Sequence, residues 1–492
     1  MSAASGGWRG LPVLVAGAGA SGEAAARALL GLGARVTVAD RVASERTGAL
    51  AAAGAAVALE PPAPPAGTAL VVTSPGWRPD APLLVAAVAA GIEVIGEVEL
   101  AWRLRPPAAA PWLAVTGTNG KTTTVRMLES ILRAAGLRAV ATGNVGLPVV
   151  DAVLADPPYE VLAVELSSFQ LHWSPSVRPA AGAVLNLAPD HLDWHGSYGA
   201  YAAAKERIWA GGGTVAIGNA DDPEVAARLA AAPGRRVGVT LAPPAAGQLG
   251  VAGGALLDRA FATDPMPLAG ASEVRPAGPT VVPAGLAAAA NRGGPAVGIE
   301  LARVADVRPP GPHNVANALA AAALARTHGV PADAVRAGLR AFVPDRHRNE
   351  RVAEVAGVAY VDDSKATNPH AAAASLAAYP RVVWVAGGLL KGAPVDELVA
   401  SVAGRLAGAV LLGADRAAVR AAIARHAPDV PVVEVARTDD GAMSEVVRAA
   451  AALARPGDTV LLAPAAASMD MFRDYGARGD AFATAVRVLA EP

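Results

Sequence analysis

The segment Thr116-Gly117-Thr118-Asn119-Gly120-Lys121-Thr122-Thr123-Thr124 carries the most explicit chemistry in this chain. It follows a short apolar run and precedes an amphipathic one, Val125 to Leu132, and so reads as strand, loop and helix. Backbone N–H groups of such a loop cradle phosphates, the lysine meets the β and γ oxygens, and the next hydroxyl, Thr122, ligates Mg²⁺. The common phosphate loop has glycine where Val115 stands; here the first glycine is Gly117. The pattern predicts a nucleoside triphosphate ligand, against the alternative of a glycine turn that binds nothing.

A second glycine string, Gly17-x-Gly19-x-x-Gly22, opens a helical stretch, and Asp40 ends the next apolar run. Glycines there let backbone N–H groups approach a pyrophosphate at a helix N-terminus, and the carboxylate takes a ribose hydroxyl pair. A nicotinamide dinucleotide and a UDP-sugar present the same groups, so the string alone does not choose between them. Without a ligand it is a tight turn.

Glu165 ends the run Val161 to Val164 and is followed by Leu-Ser-Ser-Phe-Gln170. An acid at a strand tip beside a phosphate loop is placed to hold Mg²⁺, directly or through water. In Asn186-Leu-Ala-Pro-Asp190-His191-Leu-Asp193-Trp-His195 the two histidines have helical spacing. That raises zinc, but no third ligand lies nearby and HExxH is absent.

Of the 42 Lys and Arg residues only four are lysine: Lys121, Lys205, Lys365 and Lys391. Lysine is a compact charge that can lose its proton and be modified, unlike the arginine fork. Lys205 shares a helical stripe with Tyr198, Tyr201 and Ile208. It either snorkels to water or is desolvated, with a lowered pKa that frees the amine for chemistry.

Further polar strings are His313-Asn314-Val-Ala-Asn317, His347-Arg348 and Asp362-Asp363-Ser364-Lys365-Ala366-Thr367-Asn368. Lys391 follows Gly387-Gly388, and Ser468 and Tyr475 flank Asp470. Asn317 can hold an adenine edge, or both asparagines of the first string can cap a helix. There is no Gly-x-Ser-x-Gly elbow for a serine hydrolase.

The elements needed to position these groups alternate strand and helix throughout, which predicts an α/β protein. The N-terminal part reads as a βαβ unit: strand Leu11 to Ala16, helix to about Leu32, strand Arg35 to Ala39. Pro106 to Pro111 reads as a linker. A second series runs from Trp112 to Val343, with a weakly periodic Pro/Gly/Ala-rich stretch, Leu241 to Gly298, read as short strands and long loops. A third series places strands at Val355–Val361, Val382–Ala386, Ala409–Leu412 and Thr459–Ala463. The expected domains are 1–108, 109–343 and 344–492.

Composition fits large cores, with 53% hydrophobic and 17% charged residues among 492. A net charge of −1 makes no electrostatic case for a nucleic-acid or anionic-membrane partner. Mean hydropathy is +0.35, but no unbroken apolar run is long enough to span a bilayer. Leu11 to Gly22 lies between Arg9 and Glu23 and reads as strand and turn rather than signal peptide. The absence of cysteine excludes disulfides and thiolate chemistry and fits a reducing compartment.

Taken in order, Thr-Gly-Thr-Asn-Gly-Lys-Thr, Glu-Leu-Ser-Ser-Phe-Gln, Asp-His-Leu-Asp, Tyr-x-x-x-Lys, His-Asn-x-x-Asn, His-Arg and Asp-Ser-Lys-Ala-Thr-Asn resemble the Mur ligase family across essentially the whole chain. The last string, with Pro464-Ala-Ala-Ala-Ser468-Met-Asp470, looks like the family members that add D-glutamate to UDP-N-acetylmuramoyl-L-alanine; the DNPR-like string of the diamino-acid-adding members is not found. The resemblance implies a Rossmann-like N-terminal domain, a central P-loop-type ATPase domain and a Rossmann-like C-terminal domain. It implies Gly17, Gly19, Ser21, Gly22, Asp40 and Asn144 at the UDP-sugar. Gly117, Thr118, Asn119, Gly120, Lys121, Thr122, Thr123, Asn317, Arg348 and Asp363 would hold ATP, with Thr122, Glu165, His191 and Lys205, carbamylated, on two Mg²⁺ ions. Lys121, His191, Lys205 and Arg348 would act in catalysis, and Thr367, Lys391, Ser468 and Tyr475 would surround D-glutamate. Tyr475 stands where the family has Phe. A cytoplasmic monomer acting on small molecules is the family default. The rivals are folylpolyglutamate synthase, a nicotinamide oxidoreductase using Gly17 to Asp40, and a catalytically silent nucleotide-binding regulator.

Overall fold

The computed structural model describes residues 7–106, 108–261, 298–439 and 441–490. They form three sheets. The first contains β1 (Pro12–Ala16), β2 (Arg35–Asp40), β3 (Ala56–Leu59), β4 (Leu70–Thr73) and β5 (Glu93–Gly96) in the order β3-β2-β1-β4-β5, all parallel. This is a doubly wound order whose direction reverses between β1 and β4, the place where such sheets open a crevice. Helix Ala20–Gly31 follows β1 directly, as the glycine string requires.

The second sheet runs from β6 (Trp112–Thr116) through β7 (Ala139–Gly143), β8 (Val161–Glu165), β9 (Ala181–Val184), β10 (Val215–Asn219), β11 (Arg236–Val239), β12 (Gln248–Ala252) and β13 (Ala255–Asp258) to β14 (Ile299–Arg303). Its order is β14-β13-β12-β11-β10-β9-β6-β8-β7, parallel except for the antiparallel pairs of β12 with β13 and β13 with β14. Strand β6 is buried along its whole length, as a central parallel strand covered on both faces must be. Two short strands, β12 and β13, lie in the Pro/Gly/Ala-rich stretch; residues 262–297 of it lie outside the described residues.

The third sheet has β15 (Glu350–Val355), β16 (Val358–Asp362), β17 (Val382–Gly387), β18 (Leu406–Leu412), β19 (Val432–Glu434) and β20 (Thr459–Leu462). The order is β15-β16-β20-β17-β18-β19, with only β15 antiparallel to its neighbour. The single strand expected over Val355–Val361 is in fact a hairpin. Ala356 and Gly357 both have positive φ, 51° and 74°, and reverse the chain between two valines. Apolar content on both sides of the turn hid it.

Two compact units emerge, Met1–Asp306 with Ala316–Ala341, and Val307–Val315 with Phe342–Pro492. The first two sheets therefore share one unit, although a proline-rich linker (Pro107 lies outside the described residues) separates them in sequence. Two acids of helix Glu97–Leu104 make the join. The Val150 N–H donates to Glu97 Oε1 at 2.7 Å, and Ser176 donates its N–H and hydroxyl to Glu99 at 3.0 and 2.5 Å. Burial pushes the Glu97 carboxyl up to about 7. The first turn of helix Pro312–Thr327 belongs with the second unit and the remainder with the first.

Candidate active site

Strand order brings the central motifs to one edge. β6 lies between β8 and β9, with Val115 beside Glu165 and Thr116 beside Val184, while Gly143 of β7 is also beside Glu165. The loop 117–120, Asn144, Glu165 and the segment 186–191 therefore leave the same C-terminal edge of a parallel sheet.

The glycine loop is held before any ligand arrives. Asn186, the second residue after Val184, accepts from the Asn119 N–H at 2.8 Å and donates to the Asn119 carbonyl at 3.1 Å. The Thr118 N–H donates to the Asn186 carbonyl at 3.0 Å, and the Thr118 hydroxyl lies 2.8 Å from the Tyr201 hydroxyl. Gly120 has φ of 83°, and a Cβ there would fall 2.4 Å from Asn317 Oδ1. Helix Lys121–Ala134 starts at the lysine itself, so its N-terminal N–H groups face the loop. Lys121 Nζ donates back to the Gly117 and Thr118 carbonyls at 3.1 and 3.0 Å.

Glu165 is 1% exposed, and its Oε1 accepts from Asn144 Nδ2 at 2.9 Å. Its Oε2 is buried with no hydrogen-bond partner. A buried carboxylate oxygen with no hydrogen-bond partner costs free energy unless a cation supplies one, so this donor set fits Mg²⁺. Asn144, expected at the UDP-sugar, orients this carboxylate.

Lys205 is 2% exposed, which decides against snorkelling. Its Nζ donates to the Gly117 carbonyl at 2.7 Å, the same oxygen that Lys121 reaches. Burial, then the nearby Lys121 charge, hold the Lys205 pKa well below the lysine range. Both effects favour the neutral amine over the ammonium. His191 has φ of 52° and precedes the single turn Leu192–His195. Its pKa is lowered, mainly by burial and also by Lys121 and Lys205, while Asp190 opposes the shift. His195 points elsewhere, to the Ser168 hydroxyl at 2.9 Å, so the two histidines do not share one ligand position.

In the first sheet Gly17 has φ of 95°, and a Cβ there would meet Ser74 Oγ at 2.8 Å and Trp77 Nε1 at 2.9 Å. At Gly22 a Cβ would fall 1.8 Å from the Gly17 carbonyl, so these two glycines are required by close approach. Gly19 and Ser21 stand at the start of helix Ala20–Gly31, Gly19 as its N-cap. Asp40, expected to take ribose hydroxyls, accepts from the Ala18 N–H at 2.6 Å and the Arg41 N–H at 2.6 Å. It ties the loop to the end of β2. Ser74 and Trp77, which follow β4 across the crevice, carried no motif that singled them out.

In the second unit, β16, β20 and β17 are neighbours, so Asp363 to Asn368, Ala463 to Met469 and Gly388 to Lys391 leave one edge. The Leu389 and Ala467 backbones bond each other at 2.9 Å in both directions. Thr367, Ser468 and Lys391 thus belong to one rim, with Lys391 exposed at φ 53° and Ser468 buried. Lys365 Nζ sits 3.9 Å above the Tyr475 ring, a contact a Phe would also make. Burial raises Asp363 to about 6 while Arg348 opposes the rise, so these two expected ATP residues are neighbours. His347 Nδ1 bonds Asp362 at 2.7 Å, and both are buried.

The comparisons with known proteins match this layout. Residues 115–247 match the Mur ligase middle domain, and residues 347–466 the Mur ligase, glutamate ligase domain. The UDP-N-acetylmuramoylalanine--D-glutamate ligase of Thermobifida fusca is 60% identical, over 98% of this chain and 99% of its own length. This chain belongs to the Mur ligase family. The ligase of the same name from Streptomyces avermitilis is 57% identical, over 98% of this chain and 99% of its own. Among solved structures, the UDP-N-acetylmuramate-alanine ligase of Thermotoga maritima is similar with a TM-score of 0.55 at 17% identity, covering 97% of this chain and 99% of that one. That likeness confirms the three-domain Mur ligase fold. No helix among the described residues is long and apolar enough to cross a membrane.

Proposed function

We propose that this chain is the ATP-dependent ligase that joins D-glutamate to UDP-N-acetylmuramoyl-L-alanine in peptidoglycan precursor synthesis. One observation supports the ligase chemistry above others. A phosphate loop, a carboxylate with an unpartnered buried oxygen and a desolvated lysine meet at one sheet edge. The acceptor follows from the full-length relatives and from the Asp-Ser-Lys-Ala-Thr-Asn string.

A carboxylate does not accept an amine in water, so it must be activated. The γ-phosphoryl group of ATP passes to the alanyl carboxylate, the bond to ADP breaks, and an acyl phosphate results. The amine of D-glutamate attacks the acyl carbon, inorganic phosphate leaves, and the nitrogen loses its proton. Lys121 and the loop N–H groups hold the phosphates, which positions the transfer. Thr122, Glu165 and His191 are the residues that would hold Mg²⁺, which offsets charge on the transferring group.

Burial favours the form of Lys205 that adds to CO₂: a neutral amine nitrogen bonds the carbon, a proton is lost, and a carbamate results. Such a group would place a carboxylate beside Lys121 and complete the ligands of a second Mg²⁺. Arg348, Asp363 and Asn317 are assigned to ATP, and Thr367, Lys391, Ser468 and Tyr475 to D-glutamate. The UDP-sugar lies against Gly17 to Gly22 and Ser74 to Trp77. Asp40, which also ties down the loop backbone, and Asn144 are assigned to the same ligand. A monomer in the cytoplasm, where ATP is at hand, is the form this reading assigns to the chain.

Phosphate release from ATP with UDP-N-acetylmuramoyl-L-alanine, comparing D-glutamate, L-glutamate, L-lysine and meso-diaminopimelate, tests the proposal. Release with D-glutamate alone is expected. Release with another acceptor would overturn the acceptor assignment, and silence with all would overturn the ligase.

A further inference from the structure

We infer that Arg78 is a positioning residue that fastens the turn carrying His191 to the rim of the UDP-sugar crevice. The inference rests on the ligase reading above. Turn Leu192–His195 is four residues long, too short to hold itself in water, and its preceding residue His191 has a left-handed backbone that only surrounding contacts maintain. Where His191 points is therefore decided by what grips the turn from outside.

Phe169 packs 4.7 Å from the rings of both His191 and Trp194, and His172 lies 5.0 Å from Trp194, while two polar side chains add directional bonds. His195 Nε2 bonds the Ser168 hydroxyl at 2.9 Å, gripping the turn from the helix that follows Glu165. The second comes from the other sheet: Arg78 donates to the Asp193 carbonyl at 2.8 Å and lies 3.5 Å from the Asp193 carboxylate. Among the described residues no backbone N–H reaches the Asp193 carbonyl, an end-of-helix oxygen that needs a donor. The same guanidinium is forked onto Asp80 at 3.0 and 3.2 Å, which fixes its direction. Arg78 follows Trp77, whose ring nitrogen lies against Gly17. The chain from Gly17 through Trp77 and Arg78 to Asp193 and His191 thus links the UDP-sugar crevice to the carboxylate-activating edge. Lysine has one ammonium and cannot engage Asp80 and the Asp193 carbonyl in the same fork.

The test is steady-state kinetics of the full-length Arg78→Ala and Arg78→Lys variants beside wild type, with phosphate release as readout and thermal melting as control. An exposed ion pair contributes little to folding, so melting midpoints should stay within about two degrees of wild type. Misplacing His191 should lower kcat about tenfold while the KM for UDP-N-acetylmuramoyl-L-alanine stays within about twofold, with Lys restoring only part of the loss. Adding Asp193→Ala to Arg78→Ala should lower kcat no further. Unchanged kcat would overturn the inference, and a raised KM with unchanged kcat would mean that Arg78 binds the nucleotide itself. Wild-type protein with no D-glutamate-dependent release would instead overturn the ligase reading.

Discussion

Replacing Lys205 by methionine removes a buried amine while keeping an unbranched chain of similar reach. In the native protein burial and Lys121 hold the Lys205 pKa well below the lysine range; in the unfolded chain it titrates near ~10.4. Between those two values the unfolded chain carries a proton that the native chain lacks, so wild-type stability rises with pH through that window. One proton corresponds to about 1.4 kcal/mol per pH unit. The methionine variant has no such proton. In CO₂-free buffer the stability difference, wild type minus variant, should therefore grow with pH between the native and the unfolded pKa, by at most about 1.4 kcal/mol per pH unit. Urea unfolding followed by tryptophan fluorescence measures it, since Trp112 and Trp209 are buried in the same unit. Parallel pH dependence in the two proteins would refute a neutral Lys205. Lys205→Arg carries the argument into catalysis. A guanidinium can neither discharge nor be carbamylated, so the variant should lose several kcal/mol of stability and at least about a hundredfold in phosphate release. Near-normal turnover would exclude the carbamate.

Lys391→Ala should raise the D-glutamate KM far more than the ATP KM; an equal rise in both would misplace the amino-acid site. Glu165→Gln keeps an acceptor for Asn144 but replaces the open carboxylate oxygen, so the Mg²⁺ concentration for half-maximal phosphate release should rise roughly tenfold. An unchanged Mg²⁺ titration would remove Glu165 from the metal site. Asp258→Ala takes away the carboxylate 2.9 Å from Arg326 Nε, where both side chains are 0% exposed. Removing one partner of such a pair should cost roughly 3–5 kcal/mol in urea unfolding; a loss under about 1 kcal/mol would mean that the site reorganises around the arginine.

The catalytic core was the most legible part because its signals are local. A glycine that must take positive φ, a lysine closing a phosphate loop and an acid ending an apolar run are set by backbone sterics and residue type. Gly17, Gly117, Gly120, Lys121 and Glu165 all stand where those rules put them. The amphipathic stripe put Lys205 on an apolar face, since a helix fixes which residues share a face, and left snorkelling and burial both open; the structure buries it. Where the signal was only apolar content, the strand over Val355–Val361 turned out to be a hairpin.

Sequence alone therefore determined the fold class, the order of motifs and the chemistry available to them. Partnership was decided by tertiary structure. Asp40 accepts from the Ala18 N–H, Asn144 donates to Glu165, and Asn186 clamps Asn119 across sixty-seven positions of sequence. Two lysines far apart in the chain share the Gly117 carbonyl, and burial together with that juxtaposition lowers the Lys205 pKa. Arg78 meets Asp193 only because the first two sheets pack into one unit. A side chain's residue type sets which bonds it can form, but strand order sets which partners come within three ångströms, and hydrogen bonds and desolvation act only at that range.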